Sequence, residues 1–236
     1  MVKKKILILG ASSDIGIKTV EKYLKMNWTV FAHYNKNSKN LKKIKSVHLK
    51  IFKFDLRKIE KFKSFINNKK IFRNIDSFIS LTGLLEPVDF FRLNSKNLFN
   101  HINVNYLSNI IVMQNLIPNM RKNKFGRILL SSSVGVKFGG SNNSIIYSLT
   151  KHMNEFFFSS YKEFYKDNVL INTIRIGVTD TKIHKKKNTL NMKKRINLIP
   201  IKRIAKTSEI VEYLYFYGSE KNTYTTKSLI EATGGE

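Results

Sequence analysis

The chain has 236 residues, 42% of them hydrophobic and 25% charged, with no cysteine. This suits one α/β domain and excludes a disordered chain or a disulfide-stapled secreted scaffold. No apolar run reaches the ~20 residues of a membrane-spanning helix, so no membrane role is expected. Lys+Arg total 43 against 16 Asp+Glu, a net charge of +27. The excess is nearly all lysine and is spread along the chain. It reads as a solvated coat rather than an arginine-rich nucleic-acid reader, so no nucleic-acid partner is expected.

Short apolar runs alternate with longer amphipathic ones, which implies a parallel sheet with helices on both faces. The first predicted strand is Lys5–Leu9. Its apolar part stops at Gly10, short of the ~7–15 residues of a secretory signal, so a reducing, cytoplasmic location is expected. The strand runs into Gly10-Ala11-Ser12-Ser13-Asp14-Ile15-Gly16 and a predicted helix, Ile15–Met26. Glycines in such a turn bring the backbone close to a pyrophosphate, which the helix N-terminus attracts. Ser12 and Ser13 add hydroxyls. Asp14 is placed to cap the helix, with its charge near the diphosphate.

Strand two, Thr29–Tyr34, ends without the acid that would bind the ribose hydroxyls of NAD. Asn35 and Lys36 instead suit a 2′-phosphate, so NADP(H) is favoured over NAD(H). Strand three, Val47–Phe54, leads into Asp55-Leu56. There Asp55 either accepts from the adenine amine or caps the predicted helix Ile59–Asn67. Strand Ser77–Ser80 precedes Leu81-Thr82-Gly83, and helix Asn97–Arg121 contains Asn105. Strand Arg127–Ser131 delivers serine hydroxyls to the same edge of the sheet. Helix Ile145–Tyr165 places Tyr147 and Lys151 on one face at i and i+4. Its aromatics, Phe156 to Phe158, Tyr161, Phe164 and Tyr165, read as core and subunit interface rather than a base-stacking platform. Strand Val169–Ile176, the basic segment 182–199, helix Ser208–Tyr217 and strand Ser228–Glu231 complete the pattern. The five histidines lack metal-ligand spacing, and no metal is expected.

Taken together, the motifs resemble the short-chain dehydrogenase/reductase family, in particular its 3-oxoacyl-carrier reductases, over nearly the whole chain. GASSDIG resembles the glycine-rich cofactor loop, with Asp14 where a glycine is usual. INVN, ending at Asn105, resembles the active-site asparagine segment. GRILLSSSVG resembles the catalytic-serine strand, YSLTK matches YxxxK, and the segment from Asn172 to Thr181 resembles the stretch that holds the nicotinamide carboxamide. In place of the family's NNAG stands Ser80-Leu81-Thr82-Gly83, and Ile176 stands where a proline precedes Gly177.

The resemblance implies a single-domain Rossmann fold over 1–236, doubly wound, with 182–199 as a substrate lid. It implies Asn105, Ser133, Tyr147 and Lys151 as the catalytic set. Ser132 is the runner-up to Ser133, and strand alternation is taken to turn Ser131 elsewhere. It also implies cofactor contacts from Gly10, Ser12, Ser13, Asp14, Ile15, Gly16, Asn35, Lys36, Asp55, Leu56, Gly83, Tyr147, Lys151, Gly177, Val178 and Thr181.

In the chemistry so implied, Tyr147 protonates the oxygen of a carbonyl that receives hydride, and Ser133 stabilises the oxyanion. Lys151 at ~5 Å would lower the phenol pKa by about two units at an effective dielectric of ~20. Asn105 would hold a water that links Lys151 to solvent. Expected partners are a small carbonyl or alcohol substrate, carrier-linked or anionic, and further copies of the chain in a dimer or tetramer. The basic lid, with His184, Lys185, Lys186, Lys187, Lys193, Lys194 and Arg195, either attracts such a substrate or reflects lysine bias. The alternatives are a catalytically idle nucleotide-binding module and a basic nucleic-acid or membrane-surface binder.

Overall fold

Ile6, Leu7, Ile8 and Leu9 are completely buried because β1 (Lys5–Leu9) is an interior strand with helices packed on both sides. The computed structural model describes residues 3–69, 72, 74–159, 161–182 and 189–236. It holds one seven-stranded sheet in the order β3-β2-β1-β4-β5-β6-β7. The other strands are β2 (Thr29–Tyr34), β3 (Leu49–Lys53), β4 (Ser77–Ser80), β5 (Gly126–Ser133), β6 (Val169–Ile176) and β7 (Leu229–Ala232). Every neighbouring pair is parallel. The chain moves outward from β1 to β3, then crosses back to β4 on the other side of β1. Connections leaving β1 and β4 therefore diverge, and a crevice opens at their carboxyl ends. The doubly wound Rossmann architecture expected from the sequence is the one observed.

The helices are α1 (Asp14–Lys25), α2 (Lys39–Lys43), α3 (Ile59–Asn68), α4 (Ser95–Ile102), α5 (Ser108–Lys122), α6 (Ile145–Met153), α7 (Tyr161–Tyr165), α8 (Thr189–Leu198) and α9 (Thr207–Gly218). One buried cluster joins Phe62 and Ile66 of α3 and Val112 and Leu116 of α5 to Leu7, Phe78 and Ile128. The other joins Val20 and Tyr23 of α1 and Ile210 and Leu214 of α9 to Ile8, Ile79 and Leu129. Each large aliphatic side chain so buried contributes roughly 1.5–3 kcal/mol. No helix of the described residues is long and apolar enough to cross a membrane.

Two predicted helices are interrupted. Asn97–Arg121 is divided by a π turn at Asn103–Leu107. Ile145–Tyr165 ends at Met153, with Asn154 as its C-cap, and helix resumes only at Tyr161. The break has a tertiary cause. The Asn154 carbonyl accepts from the Thr173 hydroxyl at 2.6 Å, and its side-chain amide donates to the Asn105 carbonyl at 2.9 Å. The aromatics of this stretch therefore do not share a helix with Tyr147. Phe157, Phe158, Phe164 and Tyr165 pack on the first cluster, while Phe156 is 65% exposed. A surface groove of about 850 Å³ runs between α5 and α7, lined by Ile110, Met113, Ile117, Pro118, Phe158 and Tyr161 among others.

Candidate active site

The crevice is a cleft of about 420 Å³. One wall is Ser12, Ser13, Asp14 and Ile15, and the other carries Tyr147 and Lys151. Leu81, Thr82 and Gly83 after β4 lie between them, with Ser131, Ser132 and Ser133 at the tip of β5 and Ile176, Gly177, Thr179, Thr181 and Lys182 after β6.

The phosphate end is shaped by glycines that do not themselves line it. Gly10 has φ +73°, and a Cβ there would lie 2.7 Å from the Leu81 carbonyl oxygen. At Gly16 a Cβ would meet the Ala11 backbone at 2.7 Å. Ser13, not Asp14, caps α1; its hydroxyl accepts from Gly16 N at 3.0 Å. Asp14 is instead the first helical residue, and its carboxylate accepts from the Lys182 backbone N–H at 2.7 Å.

Behind this loop lies His33, 3% exposed near the end of β2. Its Nδ1 accepts from Gly10 N at 3.2 Å, so Nε2 carries the hydrogen donated to the Phe54 carbonyl at 3.0 Å. Burial lowers its pKa to about 4.

Several expected contacts at the nucleotide end fall elsewhere. Asn37 and Asn40 line the cleft, whereas Asn35 and Lys36 do not. Asp55 neither faces the cleft nor caps α3. The Arg57 guanidinium donates to both its oxygens, the backbone N–H of Arg57 donates to Oδ1, and this arrangement holds the carboxyl below its ordinary pKa. Leu56 is core, 3% exposed. Val178 is buried outside the cleft, its carbonyl accepting from Ala205 N at 2.9 Å.

At the other end, α6 presents Tyr147 and Lys151 on one face, as their spacing predicts. A Cβ built on Gly83 would lie in ordinary contact with the Tyr147 ring, 3.7 Å from Cε2 and 3.9 Å from the hydroxyl, so Gly83 sits directly against the phenol. Lys151 is 2% exposed. Its Nζ donates to the Thr82 carbonyl and to the Ser131 hydroxyl, both at 2.9 Å. Burial lowers its pKa to about 7, opposed by the charge of Glu155. The Tyr147 phenol is raised by burial and opposed by its hydrogen bond with Ser133. The expected lowering by Lys151 is not found: burial dominates the phenol, and the ammonium is engaged by the Thr82 carbonyl after β4 and the Ser131 hydroxyl of β5.

The serines divide by alternation. Ser131 and Ser133 point into the cleft, one to Lys151 and the other to Tyr147. Ser131 is therefore not turned elsewhere as expected: i and i+2 share a face, which puts it on the side of Ser133. Ser132 points the other way and donates to Glu155 at 2.6 Å. Glu155 also takes Arg175 bidentately, both bonds at 2.7 Å, in a side-chain pair only 14% and 5% exposed. Arg175 continues to Glu231, and Glu231 to Lys137.

Asn105 is fully buried in the π turn. Its side chain accepts from Leu84 N at 2.6 Å and donates to the Leu84 carbonyl at 3.1 Å and to Thr150 Oγ1 at 2.9 Å. Its carbonyl accepts from Asn109 and Asn154. It thus ties the loop after β4 to α6, and none of these bonds goes to Lys151.

Thr181 and Gly177 line the cleft as expected. His184 and Lys185 to Lys187 lie outside the described residues. Lys193 and Lys194 are exposed on α8, and Arg195 is paired with Glu236. Leu81, Thr82, Ser131, Ile176, Thr179, Asn37, Asn40 and Lys182 also line the cleft, and sequence reasoning did not single them out as sites.

A family model described as short chain dehydrogenase matches residues 4–191. The 3-oxoacyl-[acyl-carrier-protein] reductase FabG of Buchnera aphidicola subsp. Schizaphis graminum is 29% identical over 235 residues, covering 99% of this chain and 88% of that protein. The oxidoreductase YmfI of Bacillus subtilis is 26% identical, covering 99% of each chain. Among solved structures, a 3-oxoacyl (acyl-carrier-protein) reductase from Agrobacterium tumefaciens C58 with NADP bound superposes with TM-score 0.87, at 20% identity, over 99% of this chain and 94% of that one. ElxO with NADP bound gives 0.85 at 22% identity, over 99% and 98%. A tyrosine and a lysine one helical turn apart, facing a helix-capped glycine loop across one cleft, therefore have a family setting: the chain belongs to the short chain dehydrogenases, oxidoreductases that act on carbonyl and alcohol groups.

Proposed function

We propose that the chain is an NADP(H)-dependent reductase of a carbonyl substrate that is itself anionic or is carried on an acidic protein, a 3-oxoacyl thioester being the leading case. The observation that carries the reading is that Tyr147, Lys151 and Ser133 share one cleft with the capped N-terminus of α1. The cleft suits a dinucleotide: the first-turn N–H groups of α1 have no partner within their own helix, and the cleft extends from that turn to Tyr147 and Lys151. Ser12, Ser13 and Ile15 would hold the diphosphate. Asn37 and Asn40, with Asn35 and Lys36 just before them, would take the 2′-phosphate. Gly177 and Thr181 would hold the far end. No acid stands at the end of β2 to repel that phosphate, which supports NADP(H) over NAD(H).

When bound, the nicotinamide supplies the hydride. Ser133 donates to the substrate carbonyl and stabilises the charge that grows on its oxygen. Tyr147 delivers a proton from its hydroxyl to that oxygen. Lys151 Nζ, with its pKa near 7, exchanges a proton readily at neutral pH and restores the phenol. Asn105 acts by holding Leu84 and Thr150, which fixes α6 against the loop after β4. The segment 182–199 serves as lid, and exposed Lys193 and Lys194 on α8 favour a negatively charged substrate.

The test is NADPH oxidation with an acetoacetyl thioester on a carrier protein, on coenzyme A, and on an uncharged thiol. The reading expects kcat/KM to fall in that order, and to fall with added salt for the carrier substrate. Equal use of NADH, or no turnover of any carbonyl, would count against it. We further propose that the α5–α7 groove seats a second copy of the chain. Light scattering should then report a dimer or tetramer.

A further inference from the structure

Asp14 and Lys182 are 168 residues apart in sequence, yet they meet across the cleft. Asp14 Oδ2 accepts from the Lys182 backbone N–H at 2.7 Å, and the Lys182 ammonium lies 3.7 Å from Oδ1. The first is a charge-assisted bond of short length, among the stronger kinds a surface site can form. Beside the main cleft is a second cavity of about 320 Å³. Asp14, Asn40, Thr181 and Lys182 line both cavities. The bridge between Asp14 and Lys182 is therefore part of the wall between them.

The bridge joins two elements that line the cleft from opposite sides of the loop after β4. One is the first turn of α1, whose N–H groups and dipole attract an anion. The other is the segment after β6. Asp14 puts a fixed negative charge on that first turn and engages a donor that a phosphate oxygen would otherwise accept from. Its carboxylate thus stands in for an anion in the free protein.

We propose that Asp14 sets the affinity of the cleft for the diphosphate of its cofactor, by competing with it for the Lys182 amide and ammonium. The inference rests on the reading of the cleft as a dinucleotide site. Binding requires the carboxylate to give up Lys182, and Lys182 then becomes available to the phosphate. Asp14 acts on binding and release and takes no part in proton transfer.

The experiment is isothermal titration of NADPH into the wild type, Asp14→Gly, Asp14→Asn and Asp14→Asn/Lys182→Ala, at low and at ~300 mM salt, where the Debye length falls below ~8 Å. Asp14→Gly is expected to bind NADPH about tenfold more tightly at low salt, and Asp14→Asn to gain less because its amide oxygen still accepts from the Lys182 N–H, with smaller gains for both at high salt. The double variant should lose part of that gain, because the ammonium freed in Asp14→Asn is missing. Melting temperatures without NADPH monitor the fold, since loss of an acid at a helix N-terminus also destabilises the free protein. Unchanged or weaker NADPH binding by both folded single variants would overturn the role of Asp14 and leave the cofactor assignment standing. Failure of the wild type and every variant to bind NADPH or NADH would remove the cofactor assignment, and the inference with it.

Discussion

Replacing Lys151 by methionine keeps the length of a buried side chain and deletes its charge. The consequence for stability can be worked from burial alone. Lysine in an unfolded chain titrates near 10.4, whereas burial lowers Lys151 to about 7. Below pH 7 both states are protonated, and the folded state bears the full cost of a buried ammonium. Between pH 7 and 10.4 the unfolded chain holds a proton that the folded chain has released, so wild-type stability rises with pH through this window. The slope approaches ~1.4 kcal/mol per pH unit, and between pH 7 and 9 the gain is about 2 kcal/mol after allowing for half-protonation at the lower end. Lys151→Met lacks this dependence. Urea denaturation of both proteins at pH 7, 8 and 9 and constant ionic strength should show the variant ahead at pH 7, with its lead shrinking by about 2 kcal/mol at pH 9. The same variant should have no measurable turnover. A lead that stays constant across the three pH values would refute the claim that Lys151 is held against its charge.

Tyr147→Phe should lower kcat by ~10²–10⁴-fold while the Kd for NADPH, measured by titration, changes less than about twofold; kcat within tenfold of wild type would end its assignment as the proton donor. Ser133→Ala should cost ~10²–10³-fold in kcat, whereas Ser132→Ala should leave kcat near wild type and lower the melting temperature, because its hydroxyl serves Glu155. Glu155→Gln weakens a buried bidentate pair with Arg175 and is expected to cost about 3 kcal/mol in urea titrations. Asn105→Ala strands the N–H and carbonyl of Leu84, and a loss of roughly 2–4 kcal/mol should accompany a fall in kcat.

The sequence carried the sheet almost entirely, because strands such as ILIL and VLINTI are buried on both faces and read as unbroken apolar runs. It also carried the facing pair Tyr147 and Lys151, since helical spacing alone fixes their common face. What it did not carry depends on contacts between distant segments. The end of α6 at Met153 follows from Asn154 bonding to Thr173 and Asn105, partners 19 and 49 residues away. The π turn at Asn105 answers to Leu84 and Thr150 in the same way. Asp55 could not be told from an adenine acceptor without knowing that Arg57 folds back on it. The rim residues Asn37 and Asn40 were missed because a polar loop and the short helix α2, in a chain this rich in asparagine and lysine, offer no periodicity to single them out. Ser131 is the exception, since strand alternation already placed it beside Ser133.

His33 couples three strands through a single ring, receiving the Gly10 N–H after β1 and giving its own to the Phe54 carbonyl after β3. Only one neutral tautomer satisfies both neighbours, and an added proton would set two hydrogens against each other at Nδ1. With its pKa near 4 against ~6.5 for a free imidazole, the ring is a joint that mild acid opens. From pH 6.5 down to 4 the folded state forfeits up to about 3 kcal/mol at this one residue, over a range that lies mostly above where ordinary carboxylates take up protons. Acidification should therefore slacken the nucleotide rim early, and with it the packing beneath α3 of Phe52, whose ring lies 5.5 Å from that of His33.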